Sequence, residues 1–543
     1  MQKLRLFLLA GLLLGTTFFT QAQSQTLLDS DSLKEAPKDW WHSDPEATNL
    51  PGINTDKAYD FLKGRTSNKV LVAVIDSGID IEHEDLRDVI WINSDEVAGN
   101  GIDDDGNGYV DDVHGWNFLG GENGKSVERD TYELTREYLR LQEKYQGMAT
   151  AAKEADEEWA YYQKIEREYE STVRKMQTQY AGFKGFYDQY KKAERLLLAY
   201  LDLKNLNKKD LSTWDSPDPK ITRARDILMT AFDNGLDSEQ MDEGIDYFTT
   251  ALEYGYNLDF NPRTVIGDDI TDPYERIYGN NDVAGEFSFH GTHVAGIIAA
   301  SRGNKKGIDG VADNVEIMVL RAVPNGDERD KDVANAIIYA VDNGAQIVNM
   351  SFGKRFSPHK EAVDKAIKYA ESKGVLLIHA AGNSSHDTEK IEHFPTPKLA
   401  PQVRASNWLE VGAVSWKGEE VLVATFSNYG KTTVDVFAPG VDIFSTAPEQ
   451  AYKNASGTSM AAPVTTGVAA LIMSYYPTLS ATEVRDILLK SSTGYQNQKV
   501  KVPGKEETTK FGQLSQTGGV INAYEAVKLA QKARPSSKKL KRD

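Results

Sequence analysis

The chain has 543 residues, 40% of them apolar and 26% charged, a globular composition that excludes a disordered or collagen-like polymer and has room for several domains. It contains no cysteine, which excludes disulfides, thiolate-ligated zinc, iron–sulfur clusters and cysteine-nucleophile chemistry. Sixty-two basic against 81 acidic residues give a net charge of −19, which argues against nucleic acid or an anionic membrane as partner of the whole body and leaves cation binding open.

Residues 1–22 form a unit of their own. Lys3 and Arg5 precede the apolar run Leu6 to Leu14, and Ala22 ends Thr20-Gln21-Ala22. This reads as a secretory signal peptide cut after Ala22, because the run is shorter than the ~20 residues a membrane-spanning helix needs. The expectation is an exported protein, periplasmic or extracellular, with no transmembrane anchor. Residues 23–66 are polar, apart from Trp40-Trp41, with a helix expected near Asp56–Lys63. The first continuous apolar run, Val70 to Ile75, ends at Asp76-Ser77-Gly78. Such a run fits a strand buried on both faces, as in a parallel sheet.

The loop Asp103-Asp104-Asp105-Gly106-Asn107-Gly108-Tyr109-Val110-Asp111-Asp112 is rich in oxygen ligands. Asp103, Asp105, Asn107, Gly108 and Asp111 match positions 1, 3, 5, 6 and 9 of an EF-hand-like loop, with His114 where the bidentate glutamate should stand. The expectation is a structural Ca²⁺ held by Asp103, Asp105, Asn107 and Asp111, with no organic cofactor. The alternative is a solvated acidic loop.

Residues 122–280 interrupt the strand pattern. From Leu134 to Tyr190 apolar and aromatic residues recur at spacings of three and four, a heptad-like seam on long helices. A folded-back hairpin is expected, with breaks near Gly147 or Gly182/Gly185, followed by helices near Ile221–Asn234 and Ser238–Tyr254. The aromatic stripe reads as packing core. A ligand or peptide groove is the sharper reading, and the arm is also a candidate docking site for a protein partner.

From 281 to 530 apolar runs return at Ile317–Leu320, Ile347–Ser351, Val375–Ala380, Leu409–Val414 and Val434–Ala438, alternating with helical stretches. That alternation predicts an α/β fold with a mainly parallel sheet and helices on both faces, interrupted by the long all-helical insertion. In such sheets sites form at the carboxyl ends of strands. The tail 531–543 is basic and expected to be solvated.

Three segments carry chemistry: Val74-Ile75-Asp76-Ser77-Gly78, His290-Gly291-Thr292-His293 opening an apolar helix, and Gly457-Thr458-Ser459-Met460-Ala461-Ala462-Pro463 opening another. Singly, these read as a cap, a metal half-site and a turn. Together, in the order Asp–His–Ser, the chain resembles the subtilisin-like serine proteases, peptidase family S8. Gly310-Val311-Ala312, Asn349-Met350-Ser351-Phe352-Gly353, Ala380-Ala381-Gly382-Asn383, Phe426-Ser427-Asn428-Tyr429-Gly430 and Ala438-Pro439-Gly440 extend the match over roughly 67–121 and 281–530. The order and the absence of a Gly-x-Ser-x-Gly elbow set it apart from α/β-hydrolases.

The resemblance implies a secreted endopeptidase in which Ser459 is the nucleophile, His290 the base, Asp76 its orienting partner and Asn383 an oxyanion donor. It implies a polypeptide substrate laid extended along Ser351, Phe352 and Gly353, with a side-chain pocket running past Ala381 and Gly382. It makes His293 a buried structural residue. Glu389 and Glu392, in the divergent stretch 384–406, would favour basic substrates unless they are plain surface acids. About 45 residues between the cleavage point and the core leave too little chain for the family's usual folding prodomain, so the arm is expected to gate the cleft or assist folding. The competing reading is a silent protease body used as a scaffold, with the arm as its interface.

Overall fold

The continuous apolar runs become the strands of one nine-stranded sheet. The computed structural model describes residues 33–533, so the signal sequence expected over 1–22 and most of the basic tail fall outside the described residues. In chain order the strands are β1 (Val70–Asp76), β2 (Gly115–Asn117), β3 (Val315–Arg321), β4 (Ile347–Met350), β5 (Leu376–Ala380), β6 (Trp408–Val414), β7 (Val436–Pro439), β8 (Thr493–Gly494) and β9 (Gly519–Val520). Across the sheet they lie β8-β9-β7-β6-β5-β4-β1-β3-β2. Neighbours pair in parallel except β8 with β9.

Helices of eight or more residues are α1 (Thr55–Leu62), α2 (Glu133–Tyr145), α3 (Trp159–Leu201), α4 (Pro219–Asp233), α5 (Ser238–Thr250), α6 (Phe289–Ala299), α7 (Asp330–Asp342), α8 (Lys360–Lys373), α9 (Thr458–Tyr475), α10 (Ala481–Ser491) and α11 (Ala523–Lys532). Side chains alternate across a strand, so each strand feeds two cores. Val72 and Val74 of β1 join Ile317, Ile378 and Val411 beneath α6 and α9. Ala73 and Ile75 join Met318, Val348 and Leu377 beneath α7 and α8. Because both faces are buried, the runs are mainly apolar, and the polar residues inside them, Asn349, His379 and Glu410, are themselves buried. The 33–66 segment is part of the first core: Trp40 and Trp41 are fully buried there, and α1 packs on α11 through Phe61 and Tyr524, rings 6.0 Å apart edge to face.

The arm leaves the sheet edge after β2 and returns to it. Asn117 N–H donates to Asn280 O at 2.9 Å, and Asn280 N–H donates back at 3.1 Å. Between these points α2 folds against the start of α3, with Leu134, Tyr138, Leu141 and Tyr145 meeting Tyr162, Ile165 and Tyr169. The break falls where Gly147 takes φ +72°, a left-handed conformation that glycine adopts without strain. At Gly182 and Gly185 α3 does not break. It runs 43 residues, about 64 Å at 1.5 Å per residue. The far half of α3 is buttressed: α4 covers Tyr190, Ala193 and Leu197, and Phe248 of α5 lies 5.5 Å from the Phe183 ring. That packing outweighs the ~1 kcal/mol by which each interior glycine weakens a helix. None of the helices among the described residues is long and apolar enough to cross a membrane.

Candidate active site

β1 ends at Asp76, buried at 2% exposure. Its Oδ1 accepts from Ser77 N–H at 2.8 Å and lies 2.7 Å from His290 Nδ1. His290 is in the first turn of α6, and its neighbour Gly291 explains how the helix comes so close. A Cβ on Gly291 would overlap the carbonyl of Gly78 and fall 3.2 Å from the Asp76 Cβ. Burial disfavours the imidazolium of His290, but the charge of Asp76 and its hydrogen bond outweigh burial, so the His290 pKa is raised. His293, one turn on, is fully buried and bonds the Lys453 carbonyl at 3.0 Å. Burial, above all, holds its pKa down at about 4.

Ser459 lies in the first turn of α9, where unpaired N–H groups and the helix dipole favour negative charge. Four residues on is Pro463, which has no N–H to give the Ser459 carbonyl. The Ser351 hydroxyl supplies that bond instead, at 2.9 Å, while accepting from Asn349 Nδ2 at 3.0 Å. Ser351 therefore ties the end of β4 to the turn that carries Ser459. Phe352 and Gly353 follow it along the same edge.

Asn383 is aimed by the residue before the serine. Its Oδ1 accepts from both Thr458 N–H and Thr458 Oγ1, each at 2.9 Å. The carboxamide oxygen is thus engaged and Nδ2 is turned outward. A Cβ placed on Gly457 would sit 3.4 Å from Asn383 Nδ2, 3.5 Å from Ser459 N and 3.6 Å from Ser459 Oγ. The two donors and the hydroxyl therefore border one small space, which glycine leaves open. Ala381 and Gly382, which has φ +99°, are positioned by Asn428. Asn428 Nδ2 donates to Ala381 O at 2.7 Å, and its Oδ1 accepts from Ser384 and His386 N–H at 3.1 and 2.8 Å. The positioning roles of Thr458 and Asn428 were missed in the sequence, although both stand inside blocks that carried the resemblance. Glu389 accepts from Thr432, and Glu392 pairs with Lys398 at 3.0 Å. Neither acid is turned to the pocket walls.

The arm touches both sides of this region. Lys354, directly after Gly353, is buried and bonds Glu133 of α2 at 2.6 Å and Asp330 at 2.9 Å. Arg355 lies 3.5 Å from Glu168 of α3. On the other side Glu239 of α5 pairs with Lys453 at 2.7 Å, on the hairpin that leads into Ser456–Ser459.

The four expected cation ligands lie in one loop and are all engaged by hydrogen bonds within it. Asp103 accepts from the N–H groups of Gly106, Asn107 and Gly108, and Asp111 from those of Gly99, Asn100 and Gly101. Asn107 donates through Nδ2 to Asp105 and Asp112. Asp105 likewise accepts from Asn107 N–H, so all four expected ligands take part in the loop's own turns. Of those four only Asp105 joins a cluster, with Glu96 and Asp112, their oxygens within 4.8 Å of one another. Burial raises the pKa of both Glu96 and Asp112, and repulsion from Asp105 adds to it. An all-carboxylate set under this strain fits a hard divalent cation, which takes oxygen ligands and would relieve the repulsion.

The subtilase family model matches residues 233–513, just over half of the chain. The match begins inside the arm and leaves Asp76 outside it. A thermophilic serine proteinase of Bacillus sp. (strain AK1) is 35% identical over 301 residues, 55% of this chain and 63% of that protein. Subtilisin DY of Bacillus licheniformis is 38% identical over 208 residues, 38% of this chain and 70% of that protein. The major intracellular serine protease of Bacillus subtilis (strain 168) is 39% identical over 201 residues, 36% of this chain and 59% of that protein.

Proposed function

We propose that this chain, which belongs to the subtilase family, is a serine endopeptidase with Asp76, His290 and Ser459 as its triad. A serine hydroxyl is a weak nucleophile and needs a base in reach. In this reading His290 takes the Ser459 proton as the hydroxyl attacks the scissile carbonyl, then returns it to the leaving amine. Asp76 fixes the imidazole with Nδ1–H toward itself and stabilises the imidazolium, in line with its upward-shifted pKa. Asn383 Nδ2 and Ser459 N–H receive the oxyanion. Water then releases the acyl group by the same route.

The observation that carries the reading is the shared space beside Gly457, bordered by two outward donors and the serine oxygen. Substrate would lie along Ser351–Gly353. Glu96, Asp105 and Asp112 would hold a Ca²⁺ that neutralises their charge and stiffens the loop before β2. Export through residues 1–22 completes the proposal. Determining the N-terminus of the protein recovered outside the cytoplasm tests that part, with Gln23 expected first.

The catalytic reading is tested with a fluorophosphonate probe on the protein and its Ser459→Ala variant. Labelling of the unaltered protein alone is expected. Equal labelling of both, or none of a folded and Ca²⁺-loaded protein, would favour a silent scaffold.

A further inference from the structure

The two walls of the side-chain pocket share one neighbour. A Cβ on Gly353 would overlap His393 Nε2, with Cε1 at 2.8 Å and the Phe394 carbonyl at 2.9 Å. A Cβ on Gly382 would fall 2.9 Å from the same Nε2 and 3.0 Å from Cε1. Both glycines therefore look onto one imidazole edge. The ring is held in place. Its neighbour Phe394 exchanges two backbone hydrogen bonds with Lys354, each 2.9 Å. The ring of His379 stands 5.8 Å behind it, and His379 is itself fixed by Nδ1 against Glu410 at 3.0 Å.

Nε2 of His393 is buried and has no hydrogen-bond partner. Buried polar atoms are nearly always satisfied, so a nitrogen between the two glycines with no protein partner is open to a hydrogen bond from a group that enters beside them. Burial, then the positive fields of His379, Arg355 and His386, holds the His393 pKa near 3. The ring is therefore neutral wherever His290 can act as a base, and a neutral ring can exchange one hydrogen bond with a small polar group.

We propose that His393 is the floor of the pocket for the residue on the acyl side of the cut, and that it makes this pocket short. The inference rests on the endopeptidase reading above. In this reading only side chains as short as those of alanine and serine enter beside the imidazole, and a serine hydroxyl can bond Nε2. Leucine, phenylalanine and lysine need the volume that the imidazole fills. Pocket differences of this kind are worth about 10–200-fold in kcat/KM.

The test is kcat/KM on a series of peptide p-nitroanilides differing only in that residue: Ala, Ser, Leu, Phe and Lys. The unaltered protein should prefer Ala and Ser over Phe by about tenfold or more. His393→Gly and His393→Ala should each raise the Phe/Ala ratio at least about tenfold. That ratio is taken within one preparation and does not depend on how much of it is folded. A protein that prefers Phe or Leu, or active variants with an unchanged ratio, would overturn the role of His393 alone. If neither variant folds, the preference of the unaltered protein still decides. Cleavage of no peptide and no protein substrate would overturn the endopeptidase reading and this inference with it.

Discussion

Replacing Asp76 by asparagine separates the charge of the site from its shape. The side chain is 2% exposed, and its Oδ1 holds Ser77 N–H at 2.8 Å and His290 Nδ1 at 2.7 Å. Asparagine fills the same volume but removes the negative charge and can present an N–H to Nδ1, which favours the wrong imidazole tautomer. Turnover should fall by about 10⁴, which is about 5.4 kcal/mol of transition-state stabilisation at 1.36 kcal/mol per tenfold. The pH profile should move as well. His290 must be neutral to act as base, so kcat/KM rises with pH through its pKa. In the unaltered protein that limb lies above 6.5, because Asp76 raises the pKa against the effect of burial. In the variant only burial remains, so the limb should move below 6.5. Thermal stability should change little, because the Asp76 Oδ2 is buried without a partner and removing the charge relieves its desolvation. The assay is kcat and kcat/KM on a peptide ester or anilide between pH 5 and 10. A loss below tenfold, or an unmoved acid limb, would refute the assigned role.

Asn383→Leu should lower kcat by about 10²–10³ with KM nearly unchanged, since the lost donor acts only on the developing oxyanion; an equal rise in KM would place Asn383 in ground-state binding instead. Lys354→Ala leaves Asp330 without its buried cation and Glu133 with Arg136 alone. Urea unfolding should show a loss of about 3–5 kcal/mol, with faster proteolysis inside 126–260. Glu328 is buried, and burial and then the charge of Asp327 raise its pKa to about 8 against the pull of Lys354. A raised carboxyl contributes stability that is fully present below its unfolded pKa and is lost as pH rises through 8. Glu328→Gln should therefore be more stable than the unaltered protein above pH 8 and nearly equal to it below pH 5, as read from Tm against pH. Chelation should lower the Tm of the unaltered protein, and less so in mild acid, where Glu96 and Asp112 take up protons in place of the cation. Asp112→Asn should lose that response, and an unaltered protein indifferent to chelator would remove the cation from the proposal.

Much of the candidate site was legible because each of its members stands in a short contiguous block. A nucleophilic serine in the first turn of a helix needs a small residue before it and close packing after it, and Gly457 and Ala461 provide both. A histidine on a helix that must approach a strand-end aspartate needs a neighbour without a Cβ, and Gly291 follows His290. Local necessity of this kind leaves fixed spacings. The parallel sheet was legible for a related reason. Burial on both faces leaves uninterrupted apolar runs, and their alternation with helical stretches set the order of elements, including the all-helical interruption between Asp76 and His290.

What the tertiary structure alone decided are the meetings of residues far apart in sequence. Glu96, from outside the acidic loop, comes within reach of Asp105 and Asp112, a grouping of carboxylates that the loop's own spacing does not announce. Lys354 looks like a surface residue in the sequence and is instead buried between Glu133 and Asp330, across 221 positions in the first case. The glycines of α3 signal a break that packing against α4 and α5 overrides. His393 carries no signal of its own, since its place between Gly353 and Gly382 exists only once strands β4 and β5 lie side by side. Sequence pattern reports the local demands of backbone geometry and burial. Which distant side chains share a space is set by how the layers close, and no local pattern records it.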